Sequence, residues 1–280
     1  MPTYSEIVAG LGRLQSFEAS AFVGDDEWPQ GVCDLVLSLA VAYNDLRDVI
    51  LAHSLMDAVF PADPQTPTPE LGHFNGLVTH LVRLQAGIAH ELLVLVQNQK
   101  AARNASAFTS LVGKLSPSGR LAWDQVVAVA EGKPGTGPLG DFLFFARNKV
   151  AFHYDPKELR KGYRASFTED PSRKPFFSHG GSMALTRFYF GDAAVDTYMR
   201  KSADPVTVER FFGGDDQLLR SVHMALHELV TRFLLARTRG GSRQLEGNLD
   251  ESAWPGTRHA FEIEGAESDV RRASCMMLPW

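Results

Sequence analysis

Residues 32–50 read VCDLVLSLAVAYNDLRDVI, and the apolar side chains of this stretch recur at steps of three and four. Such a repeat predicts one amphipathic helix with a single apolar stripe. The stripe consists of Val32, Leu35, Val36, Leu39, Tyr43, Leu46 and Ile50. The helix is predicted to end near Phe60, because the proline-rich segment 61–69 cannot be helical throughout.

A second helix is predicted directly after this segment, with Thr68 as its N-cap and Pro69 at its first position. Its predicted stripe consists of Phe74, Leu77, Leu81, Leu84, Ile88, Leu92 and Leu95. Each helix has about 30 residues and is therefore about 45 Å long. The short link between them predicts an antiparallel hairpin, which is the foundation of an up-and-down helical bundle.

The rest of the chain predicts shorter helices around this hairpin, so the fold class is mainly α. Asp155 and Pro156 have the residue types of a helix start. A domain over 1–239 is expected to contain an irregular insert at about 165–213, with a packed loop or a short β-hairpin, and 240–280 is expected to be a C-terminal tail without periodicity. The predicted shorter helices cover about 104–115, 118–131, 139–154 and 215–238, the last with Asp215 as its cap.

Composition excludes several classes of protein. The chain has 280 residues, a formal net charge of −5 and two cysteines, Cys33 and Cys275. Two cysteines allow neither a disulfide framework nor a multi-cysteine zinc site, and they favour a reducing compartment. No segment has the roughly 20 apolar residues that span a bilayer, and the first 15 residues do not resemble a signal peptide. We therefore expect a cytoplasmic protein without a membrane partner.

The segment 147–156, RNKVAFHYDP, combines a permanent cation with a titratable ring. Arg147 and His153 are each three residues from Val150, so they flank one apolar seam from opposite sides. Pro156 disfavours helical geometry at Asp155, which predicts a helix end close to His153 and a new helix start immediately after it. An arginine, a histidine and backbone amides around 156–158 together suit a phosphodiester, although Asp155 competes for those amides.

The charge around this segment agrees with an anionic ligand. Residues 147–174 contain eight Lys and Arg against four Asp and Glu, a formal charge of +4 that leaves −9 on the rest of the chain. A positive region on an acidic protein indicates one surface for an anionic ligand rather than general adhesion. The candidate RNA-binding residues are Lys149, Lys157, Arg160, Lys161 and Arg164.

An arginine followed by a polar residue, and then by a histidine six positions after the arginine, resembles the signature of the HEPN superfamily. The match is Arg147, Asn148 and His153, placed late in a predicted helical bundle. The resemblance implies an α-helical bundle and, for many members, a metal-independent ribonuclease that works without a cofactor. It also implies a homodimer that brings two copies of the motif together. The role it implies is that of a toxin or phage-defence effector. An antitoxin or another regulatory protein would then be a further partner.

By this resemblance His153 serves as acid and base when a ribose 2′-hydroxyl attacks the adjacent phosphate. Arg147 stabilises charge on the phosphorane, and Asn148 orients the site. Members that a nucleotidyltransferase modifies carry a tyrosine two residues after the histidine. Here Tyr154 follows His153 directly and Asp155 occupies that position, so the resemblance does not extend to a nucleotidyltransferase antitoxin.

Other interpretations of these residues remain open at this stage. A non-catalytic module could bind a nucleotide, RNA or a protein through the same basic surface. Arg147 could instead bind carbonyls or a carboxylate such as Asp45 or Asp48, and His153 could be a core residue. His223 and His227 have a spacing that can chelate a metal, but no further ligand is identifiable and a structural role is favoured.

Overall fold

Helices account for most of the chain that the computed structural model describes. These helices lie in one compact unit. The predicted Asp215 cap and the predicted C-terminal tail lie outside the described residues. The segments left out include 58–67, 133–138, 208–216 and 238–280. The described residues are 17, 19–57, 68–132, 139–146, 148–149, 155–169, 172–182, 186–201, 205–207 and 217–237.

The predicted helical hairpin is present as α1 (Gln30–Asp57) and α2 (Pro69–Asn98), which pack against each other. The hairpin is antiparallel, because Gly31 at the start of α1 faces Ala102 just beyond the end of α2. The Cβ of Ala102 is 4.0 Å from the position that a Cβ on Gly31 would occupy. The predicted cap of α2 is confirmed, since Thr68 Oγ1 accepts a hydrogen bond of 3.1 Å from the Leu71 amide.

The buried face of α2 differs from the predicted stripe. Phe74 and Leu92 are buried as expected, whereas Leu77, Leu81 and Leu84 are only partly buried. The face that points into the protein carries small side chains, which let neighbouring helices approach closely. The buried residues of α2 are Gly72, Phe74, Gly76, Thr79, Val82, Gln85, Ala86, Gly87, Ala89, Leu92, Leu93 and Val96.

Shorter helices complete the bundle. The C-terminal helix (Gln217–Arg237) packs against α1 and against the helix Pro117–Ala130, and it buries Leu219, Val222, Leu226, Leu229 and Phe233. Ser116 and Pro117 separate the helix Ser106–Gly113 from the helix Pro117–Ala130, as the predicted ranges 104–115 and 118–131 imply. The helices are α3 (Lys100–Asn104), α4 (Ser106–Gly113), α5 (Pro117–Ala130), α6 (Leu139–Ala146), α7 (Pro156–Tyr163), α8 (Tyr189–Lys201) and α9 (Gln217–Arg237).

The region predicted to be an irregular insert is more regular than expected. A π-helical turn (Arg164–Thr168) extends α7, and α8 follows at Tyr189–Lys201, so the prediction of irregular structure over 165–213 is wrong for these segments. The described residues between them contain a single antiparallel bridge between Ser178 and Arg187. Among the helices that the structure describes, none is long and apolar enough to cross a membrane.

Candidate nucleic-acid interface

The predicted catalytic segment begins at the end of α6. Asn148 and Lys149 have π-helical geometry, and the Asn148 side-chain amide donates a hydrogen bond of 2.9 Å to the Phe144 carbonyl. Arg147 and His153 lie outside the described residues, so Asn148 is the one member of the predicted catalytic set whose contacts are described here.

An ion pair joins the two sides of this segment. Lys149 Nζ lies 3.2 Å from Asp155 Oδ2, and Asp155 Oδ1 accepts hydrogen bonds from the amides of Lys157 (3.0 Å) and Glu158 (3.4 Å). The Lys149 ammonium, followed by the Lys157 amide, holds the pKa of Asp155 below its ordinary value. Asp155 is thus the N-cap of α7, as predicted. It occupies the amides of Lys157 and Glu158, so the expectation that these amides face a phosphate is wrong.

The five predicted RNA-binding residues divide into two groups. Lys149 pairs with Asp155, and Lys161 Nζ lies 2.8 Å from Glu158 Oε2. The other three are exposed and form no ion pair with another residue in the described segments. They are Lys157, Arg160 and Arg164.

Glu158 is held on its other side by α8. The Tyr198 hydroxyl donates a hydrogen bond to the Glu158 carboxylate, and the Lys161 ammonium, followed by this hydroxyl, keeps the pKa of Glu158 below its ordinary value. Burial, followed by the same hydrogen bond, raises the pKa of Tyr198. Tyr198 also contacts Phe145, with 5.0 Å between ring centroids, so α8 supports both α6 and α7.

Close packing of α7 against α8 orients the basic face of α7. A Cβ on Gly162 would lie 2.0 Å from the Ala194 carbonyl oxygen, so only glycine allows this approach. One turn later, the buried Ser166 hydroxyl lies 2.9 Å from the Gly162 carbonyl and donates to Thr197 Oγ1 at 2.7 Å. The crossing places Arg160 beside the first turn of α8.

The start of α8 is anchored on small residues of α2. Arg187 Nε donates a hydrogen bond of 2.9 Å to Asp192 Oδ2, and this ion pair lies where a Cβ on Gly76 would be. The Tyr189 ring covers Gly72 in the same way, and its hydroxyl donates to the Pro69 carbonyl at 3.0 Å. The segment that leads into α8 is therefore fixed to the hairpin.

Sequence reasoning missed a row of aromatic rings on this surface. Along the row, the centroids of consecutive rings are 6.3, 5.9, 6.4 and 5.2 Å apart. Phe177 and Phe188 are 61% and 58% exposed. The available signal was the pair of aromatic clusters at 176–177 and 188–190, but only the bridge and the crossing of α7 with α8 bring them together. This aromatic row consists, in order, of Phe177, Phe188, Phe190, Tyr163 and Phe167.

Two cavities flank the start of α8. The smaller has a volume of about 500 Å³ and is lined by Arg83, Arg160, Tyr163, Phe188 and further residues of α7 and α8. The larger, of about 960 Å³, lies between α2 and α8 and is lined in part by Phe177, Arg173 and Lys174. Pro156, the residue directly after Asp155, also lines the smaller cavity.

The other candidate residues have structural surroundings. The His223 ring stacks on Tyr43, with 4.8 Å between centroids, which agrees with the structural role favoured for it. No group of three or more His, Cys, Asp or Glu side chains in the described ranges is placed to hold a metal ion. Asp48 pairs with Arg47 at 2.7 Å, and Cys33 is fully buried in the core.

Comparison of the chain with models of protein families, with curated proteins and with solved structures gives no match. The case for a function therefore depends on the residues themselves. These residues are the motif at Arg147, Asn148 and His153, and the charged and aromatic side chains around α7.

Proposed function

We propose that the chain is a metal-independent endoribonuclease of the HEPN type. A ribose 2′-hydroxyl attacks the adjacent phosphorus while His153 takes up its proton. The bond from phosphorus to the 5′-oxygen breaks, and that oxygen receives a proton from a protonated His153 as it leaves, which yields a cyclic phosphate and a 5′-hydroxyl end. Arg147 stabilises the charge on the phosphorane, and Asn148 orients the site.

The observation that carries this proposal is the ion pair between Lys149 and Asp155. Its two partners lie on either side of His153 in the sequence, and their side chains are 3.2 Å apart. The two residues that flank the segment 150–154 in the sequence are therefore joined through their side chains, beside the start of α7. Such a link supports the proposal, because acid–base groups must be held in a fixed position to act efficiently.

The charge of α7 supports RNA as the substrate. Lys157, Arg160 and Arg164 are exposed, and none of them pairs with a carboxylate in the described segments. Cations of this kind bind phosphates and release counterions, which gives affinity without regard to sequence. The negative charge on the rest of the chain confines this attraction to one face.

The proposal includes a homodimer that acts as a toxin or defence effector in the cytoplasm. If two copies of the motif form one site, cleavage per chain should rise with protein concentration through the range in which the dimer forms. Sedimentation equilibrium gives that range independently. A monomer with full cleavage activity would contradict this part of the proposal.

Cleavage of labelled RNA by the purified chain, in the presence of EDTA, tests the catalytic roles. His153→Ala should lower the rate by about 100-fold or more, because a general acid–base group contributes about 10²–10⁴-fold. Arg147→Ala should also lower it by about 100-fold or more, because removing one group that stabilises charge in the transition state costs about 10²–10³-fold. His227→Ala and Arg120→Ala replace exposed residues of the same types outside the motif and should leave the rate unchanged. Circular dichroism verifies that each variant is folded.

Two results would overturn the proposal. One is that the wild-type protein fails to cleave any RNA that the His153→Ala variant leaves intact. The other is RNA binding that survives His153→Ala with no turnover by the wild type, which selects the non-catalytic binding module.

A further inference from the structure

The aromatic row has the geometry of a surface that stacks with bases. Phe177 and Phe188 lie with their ring planes 29° apart and their centroids 6.3 Å apart, and both are more than half exposed. Exposed large apolar side chains in a contiguous group mark a binding surface, since water contact with them is unfavourable. The row continues through Phe190 to Tyr163, so it offers several ring faces and edges in succession.

Cations accompany the row along its length. Arg160 and Arg83 line the smaller cavity together with Phe188 and Tyr163. Arg173 and Lys174 line the larger cavity at the Phe177 end. Arginine and lysine side chains beside stacked rings provide partners for phosphates next to partners for bases.

From this arrangement we propose that the aromatic row binds the unpaired bases of single-stranded RNA, while the flanking arginines and lysines bind its phosphates. The inference rests on the proposed function and specifies its substrate as unpaired rather than duplex RNA. In a duplex the faces of the bases are covered by their neighbours and cannot reach a ring on the protein surface. An unpaired strand exposes a π-face at every base, so stacking of this kind has little sequence preference.

The position of the smaller cavity connects the row to the catalytic segment. Its volume of about 500 Å³ lies within the range of about 300–1,000 Å³ that is typical of small-molecule sites, so it can accept one nucleotide. Pro156, the first residue of α7, is one of its lining residues. In the sequence Pro156 follows the proposed catalytic residue His153 by three positions. A strand stacked on the row therefore reaches the start of α7, directly after the proposed catalytic segment of the chain.

Charge favours RNA over a second copy of this chain as the occupant. A two-fold interface formed by this surface would place Arg160, Arg164 and Lys157 of one protomer against the same residues of its partner. Like charges that meet in an interface oppose association, and lysine is depleted from protein interfaces. A polyanion with flat aromatic bases can bind both the cations and the aromatic rings of this surface.

Fluorescence anisotropy with the full-length wild-type chain tests the inference. The probe is a labelled single strand of 2′-O-methyl RNA about ten nucleotides long, within the site sizes of single-strand binders. This probe lacks the attacking hydroxyl, so the proposed reaction cannot consume it. Phe188→Ala should raise its Kd by about 5- to 100-fold, the range that removal of one stacking ring produces. A duplex of the same sequence should bind more weakly, with no dependence on Phe188.

Variants at the same position separate stacking from general apolar contact. Phe188→Tyr keeps the ring and should bind the single strand as the wild type does. Phe188→Leu keeps the apolar character without the ring and should behave like Phe188→Ala. Phe17→Ala removes another exposed phenylalanine, which contacts Phe22 rather than the row, and should have no effect. If Phe188→Ala does not fold, Phe177→Ala at the exposed end of the row replaces it.

Each contrary outcome has a distinct meaning. Wild-type affinity in both Phe188→Ala and Phe177→Ala overturns the inference. So does loss of self-association in Phe188→Ala with unchanged RNA binding, which would assign the surface to a second copy. Binding that depends on Phe188 in a chain that cleaves no RNA would refute the nuclease proposal and leave this inference intact. RNA cleavage at the wild-type rate in both Phe188→Ala and Phe177→Ala would refute this inference and leave the nuclease proposal intact.

Discussion

The ammonium group of Lys149 lies 3.2 Å from a carboxylate oxygen of Asp155, whose other oxygen caps the first turn of α7. One carboxylate thereby both caps the start of a helix and pairs with a cation on the other side of the predicted catalytic segment in the sequence. The two roles depend on different properties of the side chain, since capping needs an oxygen acceptor and the ion pair needs a negative charge. They can therefore be separated by substitution.

Asp155→Asn should retain the cap and lose the ion pair, because asparagine and aspartate are about equally good N-caps. We expect little change in the thermal midpoint, since exposed ion pairs contribute little to stability. RNA cleavage should fall about tenfold or more, because a displacement of about 1 Å in catalytic groups can cost about 100-fold. Asp155→Ala should lower both the midpoint and cleavage.

Lys149→Met completes this test by removing the charge from the other side of the pair. It should reproduce the cleavage defect of Asp155→Asn. Lys201→Met disrupts the 3.6 Å pair with Glu169 near the end of α8 and is the matched control. Full cleavage activity in Asp155→Asn would show that the pair does not organise the site.

Gly162→Ala should destabilise the protein by about 1–3 kcal/mol, the usual cost of overpacking. The added methyl group would lie 2.0 Å from the Ala194 carbonyl oxygen and would force α7 away from α8. Gly191→Ala is the matched control within α8, because no atom lies within 4 Å of its added Cβ. It should be neutral or should stabilise by up to about 1 kcal/mol. Urea unfolding of both variants measures the difference, and equal midpoints would contradict the close crossing.

Glu228→Gln should reduce the dependence of stability on pH in the acidic range. The Glu228 carboxylate accepts hydrogen bonds from the Ser116 hydroxyl (2.6 Å) and amide (2.9 Å) at the start of α5. These two groups hold the pKa of Glu228 below its ordinary value of 4.5. A carboxylate whose pKa is lower in the folded state stabilises the protein above the unfolded pKa, and this contribution disappears as the pH falls through the folded pKa.

Urea midpoints of the wild type and Glu228→Gln should therefore differ most at neutral pH and converge below about pH 4.5. Asp124→Asn removes an exposed carboxylate from α5, the helix whose N-cap Ser116 donates to Glu228, and it provides the control for a general change in net charge. A midpoint difference that stays constant with pH would show that the effect of Glu228 is not ionic.

Arg160→Gln and Arg164→Gln should weaken binding of single-stranded RNA and reduce its salt dependence. If each arginine neutralises one phosphate, the slope of log K against log salt should decrease in magnitude by about 0.7 per substitution. Arg232→Gln removes an exposed arginine from α9 and should leave the slope unchanged. Unchanged slopes for both α7 variants would exclude this face from the RNA interface.

Local chemistry in the sequence determined where several helices begin. Thr68 with Pro69 and Asp155 with Pro156 start helices through contacts within a few residues, so their caps could be predicted without the rest of the chain. Most of the stripe of α1 was also predictable, because Val32, Leu35, Val36, Leu39 and Leu46 lie on one buried apolar face, although Ile50 is exposed. The motif at Arg147, Asn148 and His153 and the positive charge around it are likewise properties of the sequence.

Contacts between distant segments decided the rest. The deeper face of α2 is the one with Gly72 and Gly76, because Tyr189 and the Arg187–Asp192 pair pack on it from more than 100 residues away. The aromatic row exists only because α7 crosses α8 at Gly162 and Ala194, which brings Tyr163 next to Phe190. Periodicity shows which face of a helix carries the apolar side chains. Which of them remain exposed as a binding surface depends on how closely backbones approach, and that is a property of the packed structure.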